Sequence, residues 1–427
     1  MVKILVVGSG AREHAMLWKL AQSPHVDRLY AAPGNGGTQQ IAENISIGAT
    51  DIEGIIEFAR KEGINLTVAS QDRSLALGIV DAFKAEDLRI FGPTQAAAKI
   101  EWSKVYAKEL MARLGISTAP YRIFTDPDKA LEFIDTHKPP FVVKADELAD
   151  GKGSYVCHTI ENAGIAVDKI MIQRVHEGAG KTILIEEFIP GDEASGQYFS
   201  DGKDIDVIPI SRDYKDALDD DKGLKTGGMG AVTSFGFPEE LEQQATGKTI
   251  GPMIRYLAKE GTPFRGCLFP GFKITPEGLK VIEFNSRFGD PEWPACVRRM
   301  KTDLFVVMNA CIDGELAQCK VEWEDGASIS IVAASGGYPG KYETGYLISG
   351  IKEAEKIPGV KVFHGGTVMS GGVLRTSAGR VLQVTAKAET LREAFKVAYH
   401  GVWCINFKKM HFRHDIGVKA ILESSNI

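Results

Sequence analysis

Short apolar runs alternate with helical patterns over the first hundred residues of the chain. Each run ends at glycine, proline or serine, which is typical of a strand that leads into a turn. Between the runs, apolar residues recur every three or four positions, the spacing of one face of a helix. The pattern predicts a parallel α/β domain over residues 1–100, with strands at KILVVG (3–8), RLYAAP (28–33), LTVAS (66–70) and LRIFGP (88–93) and helices at REHAMLWKLAQ (12–22) and IEGIIEFARKEG (52–63).

A long helical pattern at 94–115 leads into a second region of strands and hairpins. PFVVKADELADGKGSYVCH predicts two strands joined by a glycine-containing loop, and KTILIEEFIPG predicts a third. FRGCLFPGFKITPEGLKVIEFN predicts a hairpin that turns at TPEGL. Further on, SISIVAASGGYP, VKVFHGGTVM and GRVLQVTAKAET predict a strand-rich end. We therefore expect a multidomain α/β and α+β fold, with domains over 1–100, 101–326 and 327–427.

The second strand of that hairpin carries polar side chains in an unusual order. Because alternate residues of a strand share a face, Glu283, Asn285 and Arg287 are predicted to point one way. Ile282 and Phe284 would point the other way, into the core. Carboxylate and amide oxygens are hard ligands of the kind that Mg²⁺ prefers, and Mg²⁺ usually keeps a nucleotide's phosphates as partners. The face is thus a candidate metal site beside a guanidinium that can reach a phosphoryl group; the alternative is an edge strand with one solvated face.

Composition and charge are those of an ordinary globular chain. Of 427 residues, 44% are hydrophobic and 25% charged, and the net charge of −6 leaves no basic footprint for nucleic acid. No apolar stretch approaches the roughly 18 residues of a membrane span, and MVKILVVGSG reads as a strand and not as a signal peptide. The six cysteines show no metal-binding spacing. We expect a cytoplasmic protein with free thiols and no nucleic-acid or membrane partner, whose small-molecule substrates are held by local groups.

Two glycine-rich loops follow the first two predicted strands. VVGSGAREHA places Gly10 at the start of a helix, where backbone N–H groups can face an anion, and Arg12 adds a positive charge. Glu13 occupies the third glycine position of a dinucleotide fingerprint, which disfavours a nicotinamide dehydrogenase. APGNGGT brings Gly34 and Asn35 to the side on which open α/β sheets bind ligands. Ordinary turns are the alternative for either loop.

Candidate nucleotide-binding residues lie in the second region. Lys144 ends an apolar strand, where a cation is costly unless it meets an anion. Lys152 lies between two glycines of KADELADGKGS, a loop that can close over phosphates, although a solvated hairpin is the alternative. The strand in ILIEEFIPGDEAS reaches Glu186 and Glu187, where backbone groups can meet an adenine and a carboxylate can meet ribose. By itself this last pattern is also typical of a solvated strand end.

The ordered motifs resemble one enzyme family over almost the whole chain. VVGSGAREHA, PGNGGT, IFGPT, VVKADELADGKG, IEEFIPGDEAS, TGGMGA, VIEFNSRFGDPE, GGYPG, HGGT, AGRVL and RHDIG follow one another in that order. They resemble the phosphoribosylamine–glycine ligase family, the glycinamide ribonucleotide synthetases of the ATP-grasp superfamily. The resemblance implies an N-terminal pre-ATP-grasp substrate-binding domain, an ATP-grasp domain over 101–326 with a mobile lid subdomain at about 120–190, and a strand-rich C-terminal domain.

The resemblance also implies a reaction. In this family ATP phosphorylates the carboxylate of glycine, and the amine of phosphoribosylamine then attacks the acyl phosphate. The products are glycinamide ribonucleotide, ADP and phosphate, in purine biosynthesis. The protein has to position the reacting groups and neutralise phosphoryl charge. The expected cofactors are ATP and Mg²⁺ or Mn²⁺, and the expected assembly is a monomer or a homodimer.

The site residues that the resemblance implies fall into four groups. They are the metal ligands Glu283 and Asn285; the catalytic residues Arg287, Asp213 and Lys215; the ATP-binding residues Lys104, Lys144, Lys152, Glu186, Glu187, Ile189 and Glu193; and the substrate-binding residues Gly10, Arg12, Gly34, Asn35, Gly227, Gly228, Met229, Gly230, Asp290 and Pro291. Arg287 would face the transferred phosphoryl group, and Glu193 would lie near the ribose.

The chain departs from the family pattern in several loops. SRDYKD at 211–216 stands where the family usually has Ser-Gln-Asp-His-Lys-Arg, so Asp216 replaces an arginine. A carboxylate there would oppose a phosphate-bearing substrate, although Arg212 can compensate. An ATP-grasp carboxylate–amine ligase for a different amino acid or amine is therefore the alternative. A nucleotide-binding regulatory protein is a further one, which the intact metal ligands disfavour. The other departures are SQDRSL at 70–75, LKTGGMG at 224–230, Glu147, Asp150, Trp293 and Pro294.

Overall fold

A parallel sheet flanked by helices forms the N-terminal region, as predicted. The computed structural model describes residues 1–149, 153–176, 178–234 and 236–424. Five strands pair in parallel, with the first strand between the second and the fourth. The first strand is buried because helices cover both faces of the sheet. The elements are β1 (Lys3–Gly8), β2 (Arg28–Pro33), β3 (Glu43–Asn44), β4 (Leu66–Ala69), β5 (Ile90–Phe91), α1 (Ala11–Leu20), α2 (Ile52–Glu62), α3 (Asp72–Ala76) and α4 (Ile79–Ala85).

A four-stranded antiparallel sheet, called the small sheet below, follows two helices and has its own core. Its strand order is 6-9-7-8. Apolar residues such as Val143 and Ile185 are buried between this sheet and two helices. The elements are α5 (Gln95–Trp102), α6 (Lys104–Leu114), β6 (Tyr121–Phe124), α7 (Pro127–Thr136), β7 (Phe141–Ala145), β8 (Ser154–Cys157), α8 (Ile160–Val167) with a π-helical continuation (Asp168–Ile172), and β9 (Ile183–Glu187).

A nine-stranded antiparallel sheet, the large sheet, runs through the rest of the chain. Its order is 16-15-10-11-14-17-21-18, and strand 22 pairs with strand 17. Strands from both sides of the boundary that we place at 326/327 share this sheet. The elements are β10 (Asp192–Asp201), β11 (Ile205–Asp213), β12 (Asp216–Leu218), β13 (Lys222–Lys225), β14 (Gly230–Thr233), α9 (Glu239–Gln244), a π-helical segment (Ala245–Ile250), α10 (Gly251–Lys259), β15 (Arg265–Thr275), β16 (Gly278–Asn285), α11 (Glu292–Cys296), α12 (Leu304–Asp313), β17 (Ala327–Ser335), α13 (Ile351–Glu355), β18 (Val360–His364), β19 (Thr367–Ser370), β20 (Val373–Thr376), β21 (Arg380–Ala388), α14 (Leu391–Cys404), β22 (Met410–His411) and α15 (Val418–Ser424).

The helical stretch at 94–115 is two helices, which corrects the prediction of one. Ser103 has an extended backbone (φ −118°, ψ 105°), and its hydroxyl accepts a hydrogen bond from the backbone N–H of Tyr106. Serine competes in this way with a continuous helix, because its side chain can cap the helix that follows. Both α5 and α6 lie against β16.

A β-bulge in the predicted hairpin changes which residues face the core. β15 and β16 pair as predicted, but two neighbouring residues of β15 pair with Val281 and Glu283, so that Ile282 between them has no partner. Val281 and Phe284 are buried, whereas Ile282 is only half-buried. The prediction that Ile282 faces the core is therefore wrong, since the extra residue of the bulge shifts the alternation by one position.

All six cysteines are free, and four of them are buried. Within the described ranges, no helix combines the length and the apolar character that crossing a membrane requires.

Candidate active site

The polar face of β16 lies at the centre of a cluster of lysines and carboxylates. A carboxylate oxygen of Glu283 is 3.7 Å from Lys215 Nζ, which is also 3.8 Å from Glu193. The other oxygen of Glu193 is 3.2 Å from Lys273 Nζ on β15. Lys215 follows the end of β11 and Glu193 lies on β10, so neighbouring strands of the large sheet supply the cluster. Three residues that the sequence predicted for the site are thus close together.

The cluster keeps its half-buried carboxylates ionised. Burial alone would raise the pKa of Glu283, but the surrounding cations, of which Lys215 acts most strongly, lower it to about 2. The same opposition leaves the pKa of Glu193 below its ordinary value. Burial would lower the pKa of Lys215, but Glu193 and Glu283 outweigh this effect and raise it. At neutral pH the site therefore presents ionised carboxylates and a protonated lysine.

A chain of hydrogen bonds fixes the amide group of Asn285. Its Oδ1 accepts from Arg287 Nη2 at 3.1 Å, and its Nδ2 donates to the Phe269 carbonyl at 3.3 Å. Arg287 Nε is in turn 3.1 Å from Glu101 on α5, a residue that no sequence pattern singled out. Although β16 ends at Asn285, the positive charge of Arg287 still helps to lower the pKa of Glu283. The structure therefore brings together the three residues predicted to share one face.

The small sheet contributes a second group of charges. Lys144 Nζ is 3.1 Å from Glu186 Oε2 and donates to the Ile282 carbonyl at 3.1 Å, which joins the small sheet to the bulge in β16. Lys108 Nζ is 3.1 Å from the same carboxylate oxygen, and burial lowers the pKa of Lys108 to about 8. Glu186 Oε1 is buried without a hydrogen-bond partner among the described residues. A ligand N–H group can satisfy such an acceptor.

The other candidate ATP-binding residues lie around this group. Lys104 is the first residue of α6; its Nζ donates to the Glu147 carbonyl at 3.5 Å, and burial lowers its pKa. Glu187 is the exposed last residue of β9, and Ile189, two residues further along the chain, is half-buried. Lys152 lies outside the residues that the structure describes.

Two buried carboxylates lie near Lys215 and close to each other. Asp213 ends β11, is 8% exposed, and its Oδ1 has no hydrogen-bond partner within the described part of the chain. Glu292 begins α11 and accepts from Ser195 Oγ at 3.1 Å. Burial and then repulsion by Glu292 raise the pKa of Asp213, and burial raises the pKa of Glu292. The pair is short of positive charge, which a substrate ammonium group can supply.

Arg380 on β21 ties the glycine loop of TGGMG to the turn that follows β16. Its Nη1 donates to the carbonyls of Gly227 at 2.8 Å and Asp290 at 2.7 Å, and it is 3.2 Å from the Asp290 carboxylate. Gly228 has a φ of +111°, and a Cβ atom there would lie 2.3 Å from Pro291. Glycine is therefore required at this position. Sequence reasoning missed Arg380, although the AGRVL motif contains it.

The rest of that loop is built into the large sheet. Met229 is fully buried, and its N–H donates to the Tyr214 carbonyl at 2.7 Å. Gly230 begins β14, where a Cβ atom would lie 2.7 Å from the carbonyl oxygen of Ser330. These two residues hold Gly227 and Gly228 in place.

An open cleft of about 540 Å³ lies between the N-terminal region and the C-terminal strands. Arg380 and Gln383 of β21 form part of its wall, and the Gln383 amide donates to the Asp290 carboxylate. Gly365 and Thr367 lie on the same side. The predicted substrate-binding residues that line the cleft are Gly10, Gly34, Asn35 and Asp290.

Asn35 and Arg12 shape the cleft through contacts within the protein. Asn35 Nδ2 donates to the carbonyls of Ser9 and His364 at 2.8 and 2.7 Å, so its side chain joins the second glycine loop to β18. Arg12 Nε is 2.7 Å from Glu13, and its Nη1 donates to a backbone carbonyl at 3.0 Å. Both of these contacts of the Arg12 guanidinium are with groups of the protein itself. The backbone at the start of α1 also lines the cleft, and its Gly10 N–H donates to Glu13 Oε2 at 2.7 Å.

Two buried histidines join α1 to β18 beside the cleft. The backbone N–H of His364 donates to His14 Nδ1 at 2.9 Å, and the ring centroids are 5.3 Å apart. His364 Nδ1 is 3.1 Å from the hydroxyl of Thr367, which lines the cleft. Burial lowers the pKa of both imidazoles, in His364 to about 4. Neutral histidines therefore connect the N-terminal region to the C-terminal strands.

The substitution at Asp216 is neutralised locally. Its carboxylate is 2.9 Å from Lys225 Nζ on the neighbouring strand β13. Arg212, the residue expected to compensate, pairs with Glu423 at 2.9 Å and with Asp192 at 3.8 Å. Because Lys225 balances Asp216, this carboxylate presents no uncompensated negative charge to a phosphate-bearing substrate.

The residues on β16 fit a divalent cation held mainly by phosphates. Glu283 is ionised, and the bond from Asn285 to β15 fixes the direction of its amide oxygen. No group of three or more His, Cys, Asp and Glu side chains suited to a metal occurs in the ranges that the structure covers. Two protein oxygens suit Mg²⁺ or Mn²⁺ with phosphates and water as further ligands, and do not suit a structural zinc ion.

Family models match nearly the whole chain. The N domain of phosphoribosylglycinamide synthetase matches residues 2–101, its ATP-grasp (A) domain matches 102–293, and its C domain matches 328–419. Phosphoribosylamine–glycine ligase of Vibrio vulnificus (strain YJ016) is 43% identical over 98% of this chain and 99% of its own length. The corresponding ligase of Salmonella typhi is 43% identical over 100% of both chains.

Solved structures share the fold. The crystal structure of phosphoribosylamine–glycine ligase from Thermotoga maritima matches with a TM-score of 0.83 and 30% identity, over 97% of this chain and 100% of that one. The biotin carboxylase domain of Hydrogenobacter thermophilus 2-oxoglutarate carboxylase, solved with MgADP, matches in fold with a TM-score of 0.72 at 15% identity, over 96% of this chain and 91% of that one. Fold and charged cluster together define a ligase of the ATP-grasp class, which uses ATP and a divalent metal ion. The chain belongs to the phosphoribosylglycinamide synthetase family, which confirms the family predicted from its motifs.

Proposed function

We propose that this ATP-dependent ligase joins glycine to 5-phosphoribosylamine at the cluster around Glu283, giving glycinamide ribonucleotide, ADP and phosphate in purine biosynthesis. Full-length relatives at 42–43% identity support this reaction, since they share the name phosphoribosylamine–glycine ligase. The observation that carries the assignment of the site is the arrangement on β16. There an ionised Glu283 and an oriented Asn285 lie among fixed cations. Phosphoryl transfer requires such a preorganised positive environment.

The nucleotide would lie between the small sheet and β16. Glu283 and Asn285 would hold Mg²⁺ or Mn²⁺, which when bound neutralises phosphate charge and polarises the transferred phosphoryl group. Lys104 and Lys144 would contact the phosphates, together with Lys152. The residues that would frame the base and the ribose are Glu186, Glu187, Ile189 and Glu193. Glu186 would do so through Oε1, which has no hydrogen-bond partner among the described residues.

The first step would transfer a phosphoryl group to glycine. A carboxylate oxygen of glycine attacks the γ-phosphorus of ATP, the bond from that phosphorus to the β–γ bridging oxygen breaks, and ADP leaves. Arg287 would neutralise the charge of the transferred group; this role is supported by the contact with Glu101, which holds its guanidinium beside Asn285. Positioning and charge stabilisation supply the catalysis of such a step.

The second step would form the amide. The amine nitrogen of phosphoribosylamine attacks the carbonyl carbon of glycyl phosphate, the carbon–oxygen bond to the phosphate breaks, phosphate leaves, and the nitrogen loses a proton. Lys215 would stabilise the leaving phosphate, since it is protonated and its Nζ lies 3.7 Å from Glu283. No redox change occurs, so no further reactant is needed.

The two acceptor substrates would occupy neighbouring places. Asp213 and Glu292 would bind the ammonium group of glycine, because these buried carboxylates are short of positive charge. Phosphoribosylamine would lie in the open cleft, its phosphate between the start of α1 and Arg380. The remaining cleft and loop candidates are Gly10, Gly34, Asn35, Gly227, Gly228, Asp290 and Pro291.

A ligase for a different amino acid or amine is not favoured. The substitution that motivated this alternative, Asp216, is paired with Lys225. We also propose that the protein works in the cytoplasm, as a monomer or homodimer, on small molecules and without nucleic acid or a membrane.

A product assay tests the reaction. The protein is incubated with ATP, Mg²⁺ and freshly made phosphoribosylamine, with and without glycine, and ADP and glycinamide ribonucleotide are quantified. Glycine-dependent release of equal amounts of both is expected. Glu283→Ala should abolish turnover, whereas Glu277→Ala, at the exposed tip of the same hairpin, should retain it. Activity with another amino acid or amine, and none with glycine and phosphoribosylamine, would contradict the proposal.

A further inference from the structure

Glu101 contacts Ser286 and Arg287, the two residues that follow β16. Its Oε2 accepts from the backbone N–H of Ser286 at 2.9 Å and from the Ser286 hydroxyl at 2.6 Å. Its Oε1 is 3.1 Å from Arg287 Nε. Glu101 lies in the last turn of α5 and is only 8% exposed. Both oxygens of this buried carboxylate are thus committed to the segment after β16.

Arg287, which Glu101 holds, in turn contacts Asn285. One guanidinium nitrogen, Nη2, donates to Asn285 Oδ1 at 3.1 Å, and the other, Nη1, donates to the Phe288 carbonyl at 3.2 Å. The amide nitrogen of Asn285 donates to the Phe269 carbonyl on β15. Only one of the two amide orientations satisfies both partners, and it is the one that leaves an oxygen lone pair for a cation.

A released Arg287 would have another carboxylate to bind. Glu283 lies two residues before Asn285 on the same face of β16, so a guanidinium that contacts Asn285 lies on the side of the strand that carries the Glu283 carboxylate. If Glu101 lost its charge, the guanidinium would be drawn toward Glu283 and would compete with a divalent cation for it. The present arrangement prevents this competition, because Glu101 holds Nε of the guanidinium.

We propose that Glu101 is a positioning residue that sets the affinity of the site for a divalent cation. It acts through Arg287, by fixing the amide oxygen of Asn285 and by keeping the guanidinium away from Glu283. This inference rests on the metal site of the proposed function. Residues that orient metal ligands in this way typically change metal affinity by about 10- to 100-fold when they are replaced.

The test measures Mn²⁺ binding in the presence of ADP by electron paramagnetic resonance, which counts free Mn²⁺ without turnover. Glu101→Gln keeps the size of the side chain, removes its charge and turns an NH₂ group toward Ser286 or Arg287. The dissociation constant of Mn²⁺ should rise about tenfold or more, while metal-free binding of ADP stays within about twofold. Glu277→Gln is the matched control, because this exposed glutamate lies at the tip of the β15–β16 hairpin.

A second variant replaces Arg287, the residue through which Glu101 would act on Asn285. Arg287→Gln should weaken Mn²⁺ binding by a similar factor, and the double variant with Glu101→Gln should be no weaker than either single one, since the two residues act as a unit. Mn²⁺ affinity within twofold of wild type in either single variant, or fully additive losses in the double variant, would overturn the inference. Arg287→Gln alone decides the question if Glu101→Gln does not fold.

Glu283→Gln separates failure of this inference from failure of the proposed function. If Glu283→Gln loses Mn²⁺ binding while Glu101→Gln binds normally, only the role of Glu101 is wrong. If Glu283→Gln also binds Mn²⁺ with wild-type affinity, the metal site itself is wrong, and the inference fails with it.

Discussion

Acidification should weaken the junction between α1 and β18. His14 and His364 are buried there, and burial lowers the pKa of both, in His364 from 6.5 to about 4, with the Lys361 ammonium acting in the same direction. In the unfolded chain both imidazoles return to about 6.5. Between these values the unfolded chain binds more protons than the folded one. The contribution to stability is therefore complete above pH 6.5 and is lost as the pH falls toward 4.

The pKa of His364 sets the size of this loss. At pH 5 its imidazole is almost fully protonated in the unfolded chain and about one-tenth protonated in the folded protein, a difference of about 2 kcal/mol in the free energy of unfolding. His14 adds a loss of the same sign. His364→Gln loses the imidazole contacts with Thr367 and His14, so it should be less stable than wild type at pH 8. It also has no imidazole at this position to protonate. Between pH 8 and pH 5, however, its free energy of unfolding should fall by about 2 kcal/mol less.

Urea unfolding at pH 8 and pH 5 measures this difference. Tryptophan fluorescence is a suitable probe, because Trp18 on α1 contacts Phe363 on β18 edge-on with ring centroids 5.6 Å apart. His25→Gln, which removes an exposed histidine, is the control and should follow wild type at both pH values. Should His364→Gln lose as much stability on acidification as wild type, the reasoning from buried neutral histidines is refuted.

Three further outcomes are expected from steady-state kinetics with one substrate varied at a time. Asp213→Asn should raise the KM for glycine about tenfold or more and leave the KM for ATP within about twofold, because an ammonium group loses a buried charged partner; an unchanged glycine KM would contradict the ammonium site. Arg380→Met should raise the KM for phosphoribosylamine by a similar factor, since the cleft loses a half-buried cation that also holds Gly227; an equal rise in the KM for ATP would point to general damage instead. Asp216→Ala should change the KM for phosphoribosylamine less than about threefold, because Lys225 already balances this charge; a large fall in that KM would show that the carboxylate does oppose the substrate.

Local patterns in the sequence predicted the strands and the β15–β16 hairpin. The alternation of β16 placed Glu283 and Asn285 on one polar face, and the hairpin pairs about the predicted turn. Such features are predictable because side-chain alternation and tight turns depend on residues close together in the chain. The family followed from the order of the motifs for the same reason, since each motif is short and contiguous.

Finer local features escaped prediction because neighbouring alternatives have similar patterns. Ser103 interrupts a helical pattern that is apolar on both sides of it, and the cap becomes visible only in the backbone conformation. The bulge at Ile282 inserts one residue into a strand whose apolar content is unchanged.

The chain by itself thus determined the elements and the chemical types of the side chains on the polar face of β16, whereas the three-dimensional fold decided their partners. Glu101 reaches Ser286 across 185 positions of sequence, and Arg380 reaches the carbonyl of Gly227 across 153. The pairing of Lys225 with Asp216 also depends on how two short strands align. Periodicity records which face of an element is apolar, but it contains no information on which distant elements meet. Those contacts form only when burial of the shared cores brings the elements together.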